Sequence, residues 1–211
     1  MYPDSSADSI LLARQPIFDN DLSLFAYELL FRNNHVNQAN IEEFDDDHAT
    51  SQVINHTFLE FGINRVLGDK HDVLDVTRAF LAGEFPLPFK SKDIVLEILE
   101  DIEIDDEVIK AVKELSEQGF TIALDDFIYH ENSKPLVDVA NIIKIVLLTL
   151  SEQGLIDHVD ILKQFDVKLL AEKVDTDAQY QQCKQLGFDL YQGYFFCKPT
   201  IIDDEPLPDN K

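Results

Sequence analysis

Apolar residues along this chain follow two rhythms. Short dense runs at 10–15, 22–31, 71–76, 93–99, 120–125, 142–146, 167–171 and 188–191 have the length and composition of β-strands. Between them, residues 49–67, 107–118, 151–164 and 177–186 space their apolar side chains as amphipathic helices do. Gly119 and Gly187 each follow a helical segment and precede a strand, where a left-handed residue commonly ends a helix. The first two runs flank Asp19-Asn20-Asp21, which reads as a turn and makes them a hairpin. Residues 33–47 are polar and acidic without apolar period and read as a loop. Residues 79–90, with Pro86 and Pro88, read as irregular or as a broken helix. Residues 128–134 form a further loop, and Pro135 opens a short helix.

Strand and helix then alternate with no shift in composition, which predicts one α/β domain over 10–202 with right-handed crossovers and a parallel sheet. The hairpin is a departure from a wholly parallel arrangement. A closed barrel and an open doubly wound sheet share this periodicity. Residues 1–9 read as a disordered tail, and the acidic, Pro-rich stretch 203–211 as the start of a linker.

Composition narrows the function classes. A chain of 211 residues with 45% apolar content can bury a sizeable core. A formal charge of -24 repels phosphate backbones and anionic membranes, so nucleic-acid and lipid binding are disfavoured. The same field repels a small phosphate ligand unless a metal or local Lys and Arg intervene. Cys183 and Cys197 have neither metal spacing nor a disulfide framework. The first nine residues lack the order of a signal peptide, and the apolar run near 142–150 is too short to span a bilayer. These features predict a soluble cytoplasmic protein. Dinucleotide-fold, P-loop and zincin motifs are absent, and the six histidines are scattered.

The informative residues are those that close or interrupt the apolar strands: Glu28, Asp75, Glu97, Asp125 with Asp126, Lys144, Glu172 and Gln192. Singly, each has a plain structural role open to it. Asp125-Asp126 suits a turn or cap, Asp75 and Glu172 suit helix caps, and Lys144 can snorkel from a buried strand. Together they place oxygen ligands on successive strand ends, where α/β folds carry their chemistry. Carboxylates crowded into one mouth raise one another's pKa unless cations fill it. With oxygen donors and no Cys or His, the expected cations are Mg²⁺ or Mn²⁺, at two sites at most. Two such ions can activate a water and clamp a phosphodiester.

Taken in order, the motifs resemble the EAL domain, the family of cyclic-di-GMP phosphodiesterases and their inactive relatives. Tyr27-Glu28-Leu29-Leu30-Phe31-Arg32 is similar to the Glu-Ala-Leu signature and its following Arg, and Leu96-Glu97-Ile98-Leu99-Glu100 to the second acidic strand. Ala123-Leu124-Asp125-Asp126-Phe127 is similar to the Asp-Asp-Phe motif, and Ile143-Lys144-Ile145 to the lysine strand. Ala171-Glu172-Lys173-Val174-Asp175-Thr176 resembles Ala-Glu-Gly-Val-Glu-Thr, and the stretch from Tyr191 to Pro199 resembles the closing Gln-Gly-Tyr and Lys-Pro. Ala13-Arg14-Gln15-Pro16-Ile17-Phe18-Asp19 further resembles the shortened EAL domains that precede an HDOD domain.

The resemblance implies a shortened (β/α)₈ TIM-like barrel with an antiparallel first hairpin and cyclic-di-GMP across its carboxyl-end rim. Glu28, Asp75, Glu97 and Asp125 would hold one metal ion, and Asp126 a second together with the attacking water. Lys144 would lie near that water, with Glu172 as acid/base or metal support. Arg32 would meet a phosphate, and Gln192 would complete the site. Partners implied are cyclic-di-GMP, a C-terminal HDOD domain and a second copy of the chain.

Several positions depart from the active pattern. Asp75 stands for Asn, Asp175 for Glu, Val146 for Asp and Leu29 for Ala. The loop from Asp126 to Ser133 carries no glycine, and the segment between Arg32 and Asp75 is short. These changes predict a regulatory, ligand-sensing or protein-interaction module with little or no hydrolysis. A working metal-dependent phosphodiesterase that yields the linear dinucleotide is the alternative, and a structural scaffold the third reading.

Overall fold

The computed structural model describes residues 10–33, 71–83, 91 and 94–202, with side chains for 13–30, 72–83, 91 and 94–202. The helix expected at 49–67, most of the loop at 33–47, residues 84–90 and both tails lie outside the described residues.

Two long strands begin the fold. β1 (Ile10–Asp19) and β2 (Leu24–Asn33) pair antiparallel along nearly their whole length. Asp19 belongs to the strand rather than to the turn. Its carboxylate accepts from the backbone N–H of Asp21 and Ser23 at 3.0 and 2.9 Å, so the reversal begins one residue later than the Asp-Asn-Asp run suggests.

Six further strands continue the sheet in parallel: β3 (His71–Val76), β4 (Ile94–Ile98), β5 (Thr121–Leu124), β6 (Ile142–Val146), β7 (Lys168–Glu172) and β8 (Leu190–Tyr191). β8 pairs antiparallel with β1 at Phe18 and Asp19, and this closes an eight-stranded mixed barrel. β9 (Thr200–Ile201) pairs with β1 at Ala13 and Arg14 and was not legible as a strand. Two residues are too few to show a period.

Helices cover the outside. α1 (Arg78–Leu81) follows β3, α2 (Asp106–Glu117) follows β4, and α3 (Lys134–Val137) follows β5 after a 3₁₀ turn at Glu131–Ser133. α4 (Glu152–Leu162) and α5 (Asp177–Leu186) follow β6 and β7. Their limits follow from local chemistry. Asp105 caps α2 by accepting from Glu107 N and Val108 N, with Asp106 and Glu107 placed favourably in the first turn. Thr176 and Gln179 form a capping box at the start of α5, and Gly187, at φ +79°, ends it. Val108, Val112, Leu155, Val159, Leu162 and Cys183 turn inward against the outer face of the strands. Among the described residues, no helix is long and apolar enough to cross a membrane.

Candidate functional site

Strand alternation puts every second residue inside the barrel. Ile17, Ala26, Val73, Val95, Ala123, Ile142, Leu170 and Leu190, one from each strand, pack there as an apolar layer. Two residues further toward the carboxyl ends of the parallel strands, and two back along antiparallel β1, the same faces present Gln15, Glu28, Asp75, Glu97, Asp125, Lys144, Glu172 and Gln192. One polar residue per strand thus forms the next layer. Five carboxyl groups, one ammonium and two amides stand on an apolar floor. The strand-end residues named from sequence meet in one place.

Lys144 is the centre of that layer. Its side chain is 2% exposed, and Nζ lies 2.8 Å from Glu28 Oε1, 3.0 Å from Glu172 Oε1 and 3.3 Å from Asp125 Oδ1. It also donates to Glu97 Oε1. The lysine does not snorkel to solvent; the interior supplies acceptors on four other strands or strand ends. Glu28 is held from the other side as well, because Gln192 Nε2 donates to its Oε2 at 2.6 Å. Gln192 Nε2 also donates to Gln15 Oε1 at 3.3 Å, and Gln15 Nε2 to the Cys197 carbonyl at 3.1 Å. Gln15 is the site residue that the sequence reading missed.

Burial and crowding set the protonation of the layer. Burial pushes Asp75 up to about 7, with the charge of Glu28 adding to the effect. Burial likewise pushes Glu172 up to about 8 against the pull of Lys144, and lifts Glu97 well above the carboxylate range. At Asp125 burial is again the largest single influence, but the Lys144 charge together with hydrogen bonds from Glu97, Lys144 and the Asp126 backbone outweighs it and holds the carboxyl below its ordinary value. Burial disfavours the charged form of Lys144, yet Glu97, Glu28, Glu172 and Asp125 together raise it well above its usual value.

Asp126 stands at the rim, where the chain leaves β5. Asp125 N extends the ladder by donating to Ile98 O at 2.9 Å, and Phe127 N donates to Lys144 O at 3.2 Å. Between these anchors Asp126 takes φ +38°, a left-handed value that Asp tolerates better than most residues. His158 on α4 holds the next carbonyl, with a ring nitrogen 3.0 Å from Phe127 O. Further along, Ser133 Oγ accepts from His130 N and donates to His130 O. The glycine-free loop is therefore pinned at several points.

The donor set fits a hard divalent cation. Carboxylate oxygens of Asp125, Asp126 and Glu172 lie within 4.8 Å of one another. Glu97 Oε2, Asp126 Oδ1 and Gln192 Oε1 are buried with no hydrogen-bond partner among the described residues, so oxygen lone pairs are available there. The expected set of Glu28, Asp75, Glu97 and Asp125 is brought into one layer, but Glu28, Glu97 and Asp125 already share the Lys144 ammonium. Besides any divalent ion, the chain thus brings one compensating charge of its own to the layer. Arg32 lies on β2 opposite Leu11, and its side chain is outside the described residues.

Glu28, Asp125, Asp126 and Glu172 front a cavity of about 460 Å³, with Lys173, Asp175, Tyr194 and Pro199 on its walls. No family model matches the chain. It is 35% identical over 203 residues to the uncharacterized protein YuxH of Bacillus subtilis, covering 94% of this chain and 49% of that protein. It is 34% identical over 193 residues to the cyclic di-GMP phosphodiesterase CdgJ of Vibrio cholerae, covering 90% and 44% respectively. In structure it resembles the Bacillus subtilis YkuI protein, with an EAL domain, solved in complex with substrate c-di-GMP and calcium. That match has a TM-score of 0.72 at 19% identity and covers 93% of this chain and 57% of the other.

The chain has the fold of an EAL domain. It spans about half the length of the curated relatives it matches. Within that fold the departures noted from sequence have definite places. Leu29 is buried on the face of β2 opposite Glu28, and Val146 is buried at the end of β6 beside Glu172. Asp75 adds a carboxyl to the polar layer, and burial pushes it up to about 7, so that it is only about half ionised near neutral pH. Asp175 lines the cavity, with its backbone N–H donating to Gln179 at the start of α5.

Proposed function

We propose that this chain is an EAL-family cyclic-di-GMP signalling module that takes the dinucleotide at the carboxyl end of the barrel and hydrolyses it slowly or not at all. One observation carries the reading: the Lys144 ammonium sits inside the acidic layer, in contact with Glu28, Glu97, Asp125 and Glu172. A reaction that uses two cations needs those carboxylates for the ions. Here they are shared with a tethered monocation, and the trio in metal-like proximity, Asp125, Asp126 and Glu172, of which Asp125 and Glu172 also contact Lys144, suits a single Mg²⁺ or Mn²⁺. The pinned, glycine-free loop after Asp125 supports the same reading, since closure of a site requires backbone freedom that this segment lacks.

A bound divalent ion would supply Lewis-acid polarisation of a phosphodiester and a water of lowered pKa. The chain's own residues do the rest. Gln192 fixes the orientation of Glu28, Lys144 neutralises the layer, and the apolar floor beneath excludes water. Relatives that are solved with cyclic-di-GMP, or named for its hydrolysis, support the choice of ligand. Output would run through a following HDOD domain or a second copy of the chain.

The second reading is a working phosphodiesterase, and the full acidic layer favours it. Purified protein incubated with cyclic-di-GMP and Mg²⁺ or Mn²⁺, with products separated by chromatography, divides the two. The expected result is binding by calorimetry with little linear dinucleotide. Rapid turnover that disappears in Glu28→Ala overturns the regulatory reading. Absence of both heat and product leaves a scaffold.

A further inference from the structure

Lys173 follows Glu172 directly and has φ +54°, in the left-handed region where glycine is the unstrained choice. Its side chain is 61% exposed, lines the cavity and reaches only to 3.8 Å from Asp126 Oδ2. The other described cation on that wall, Lys144, is enclosed by four carboxylates and offers nothing to an incoming anion. In a chain of formal charge -24, an anionic ligand at this mouth needs a local positive charge that is not already spent. Lysine here carries backbone strain that buries nothing, and strain of that kind is kept where it places a working group.

We infer that Lys173 is the cation that receives a phosphate group of the ligand at the mouth of the barrel, exchanging its long contact with Asp126 for the phosphate oxygens. This rests on the cyclic-di-GMP reading but extends to any phosphate-bearing nucleotide. The step is a change of ion-pair partner with no bond made or broken. When Lys173 turns to the ligand, Asp126 Oδ2 loses its cationic neighbour.

The test uses titration calorimetry with cyclic-di-GMP and, separately, with GMP, both in Mg²⁺, together with thermal unfolding. Lys173→Gln should weaken binding of the ligand about tenfold and flatten its salt dependence, while Lys173→Arg stays within about threefold of wild type. Lys173→Gly should unfold at a higher temperature than wild type, because the strain is relieved, yet bind as weakly as Lys173→Gln. Lys113→Gln, on the exposed face of α2, controls for the loss of one charge and should bind as wild type. Unchanged affinity in Lys173→Gln and Lys173→Gly, or an equal loss in Lys113→Gln, overturns the inference. If wild type binds GMP in a Lys173-dependent way but not cyclic-di-GMP, the choice of dinucleotide fails and the role of Lys173 stands. If wild type binds neither nucleotide, both fall.

Discussion

Lys144 on β6 and Glu28 on β2, 116 residues apart in sequence, meet at 2.8 Å inside the barrel. Both are taken out of water, so Glu28 depends on Lys144 for compensation, and Lys144 on Glu28 together with Glu97, Asp125 and Glu172. Removing one partner of a buried ion pair leaves an uncompensated charge and costs roughly 3–5 kcal/mol. Lys144→Met should therefore lower the unfolding midpoint in EDTA by on the order of 10 °C. Mn²⁺ should restore much more of that loss in the variant than it adds to wild type, because a divalent ion can take the vacated place. Thermal scans of both proteins with and without metal check this, and a variant as stable as wild type in EDTA contradicts it.

Gly193 is fixed by a different contact. It has φ +152°, and a Cβ built there would come 2.2 Å from Val174 O and 2.3 Å from Val174 N. The neighbours are backbone atoms, so no side chain can swing away. Gly193→Ala must push the turn off the segment after β7, and it moves Gln192, whose amide holds Glu28. Overpacking and backbone strain together should cost roughly 2–5 kcal/mol. Chemical denaturation gives the stability change, and calorimetry should show a parallel loss of ligand binding. Wild-type stability in Gly193→Ala would falsify the packing argument.

Much of the site was readable because strands alternate. Once residues 142–146 form a strand with Ile143 and Ile145 in the outer core, Lys144 must face inward, and the same logic places Glu28, Glu97 and Glu172. Gln15 escaped because β1 carries Arg14-Gln15-Pro16, two adjacent polar residues that leave the inward face ambiguous. Only the pairing of Gln15 with Glu28 decides it. The fourfold contact of Lys144 was not legible, since it depends on how separate strands are staggered around the barrel. The left-handed backbone of Lys173 was hidden for a related reason: sequence shows a lysine, whereas its dihedral is imposed by the turn from β7 to α5. Helix α5 matched residue for residue because Thr176, Gln179 and Gly187 mark its ends chemically.

Asp72 gives a pH dependence separate from the site. It lies on β3 with 0% exposure, and neither carboxyl oxygen has a hydrogen-bond partner among the described residues. Burial pushes it up to about 7, only partly opposed by Arg14, which stacks over the Tyr27 ring. The folded chain thus holds this proton to higher pH than the unfolded chain, whose carboxyl titrates near its ordinary value of 3.8. Below that value both states hold the proton and ionisation costs nothing. As pH rises toward 7 the folded state loses stability, by roughly 4 kcal/mol once the group ionises in both states. Asp72→Asn should remove the penalty: near-equal stability to wild type at about pH 4, and a gain growing toward roughly 4 kcal/mol by about pH 8. Urea denaturation of both proteins across that range measures the difference. A gain independent of pH means that the Asp72 carboxyl does not shift on folding, and a variant weaker than wild type at high pH means that Asp72 is ionised and paired in the folded protein; either outcome contradicts the prediction.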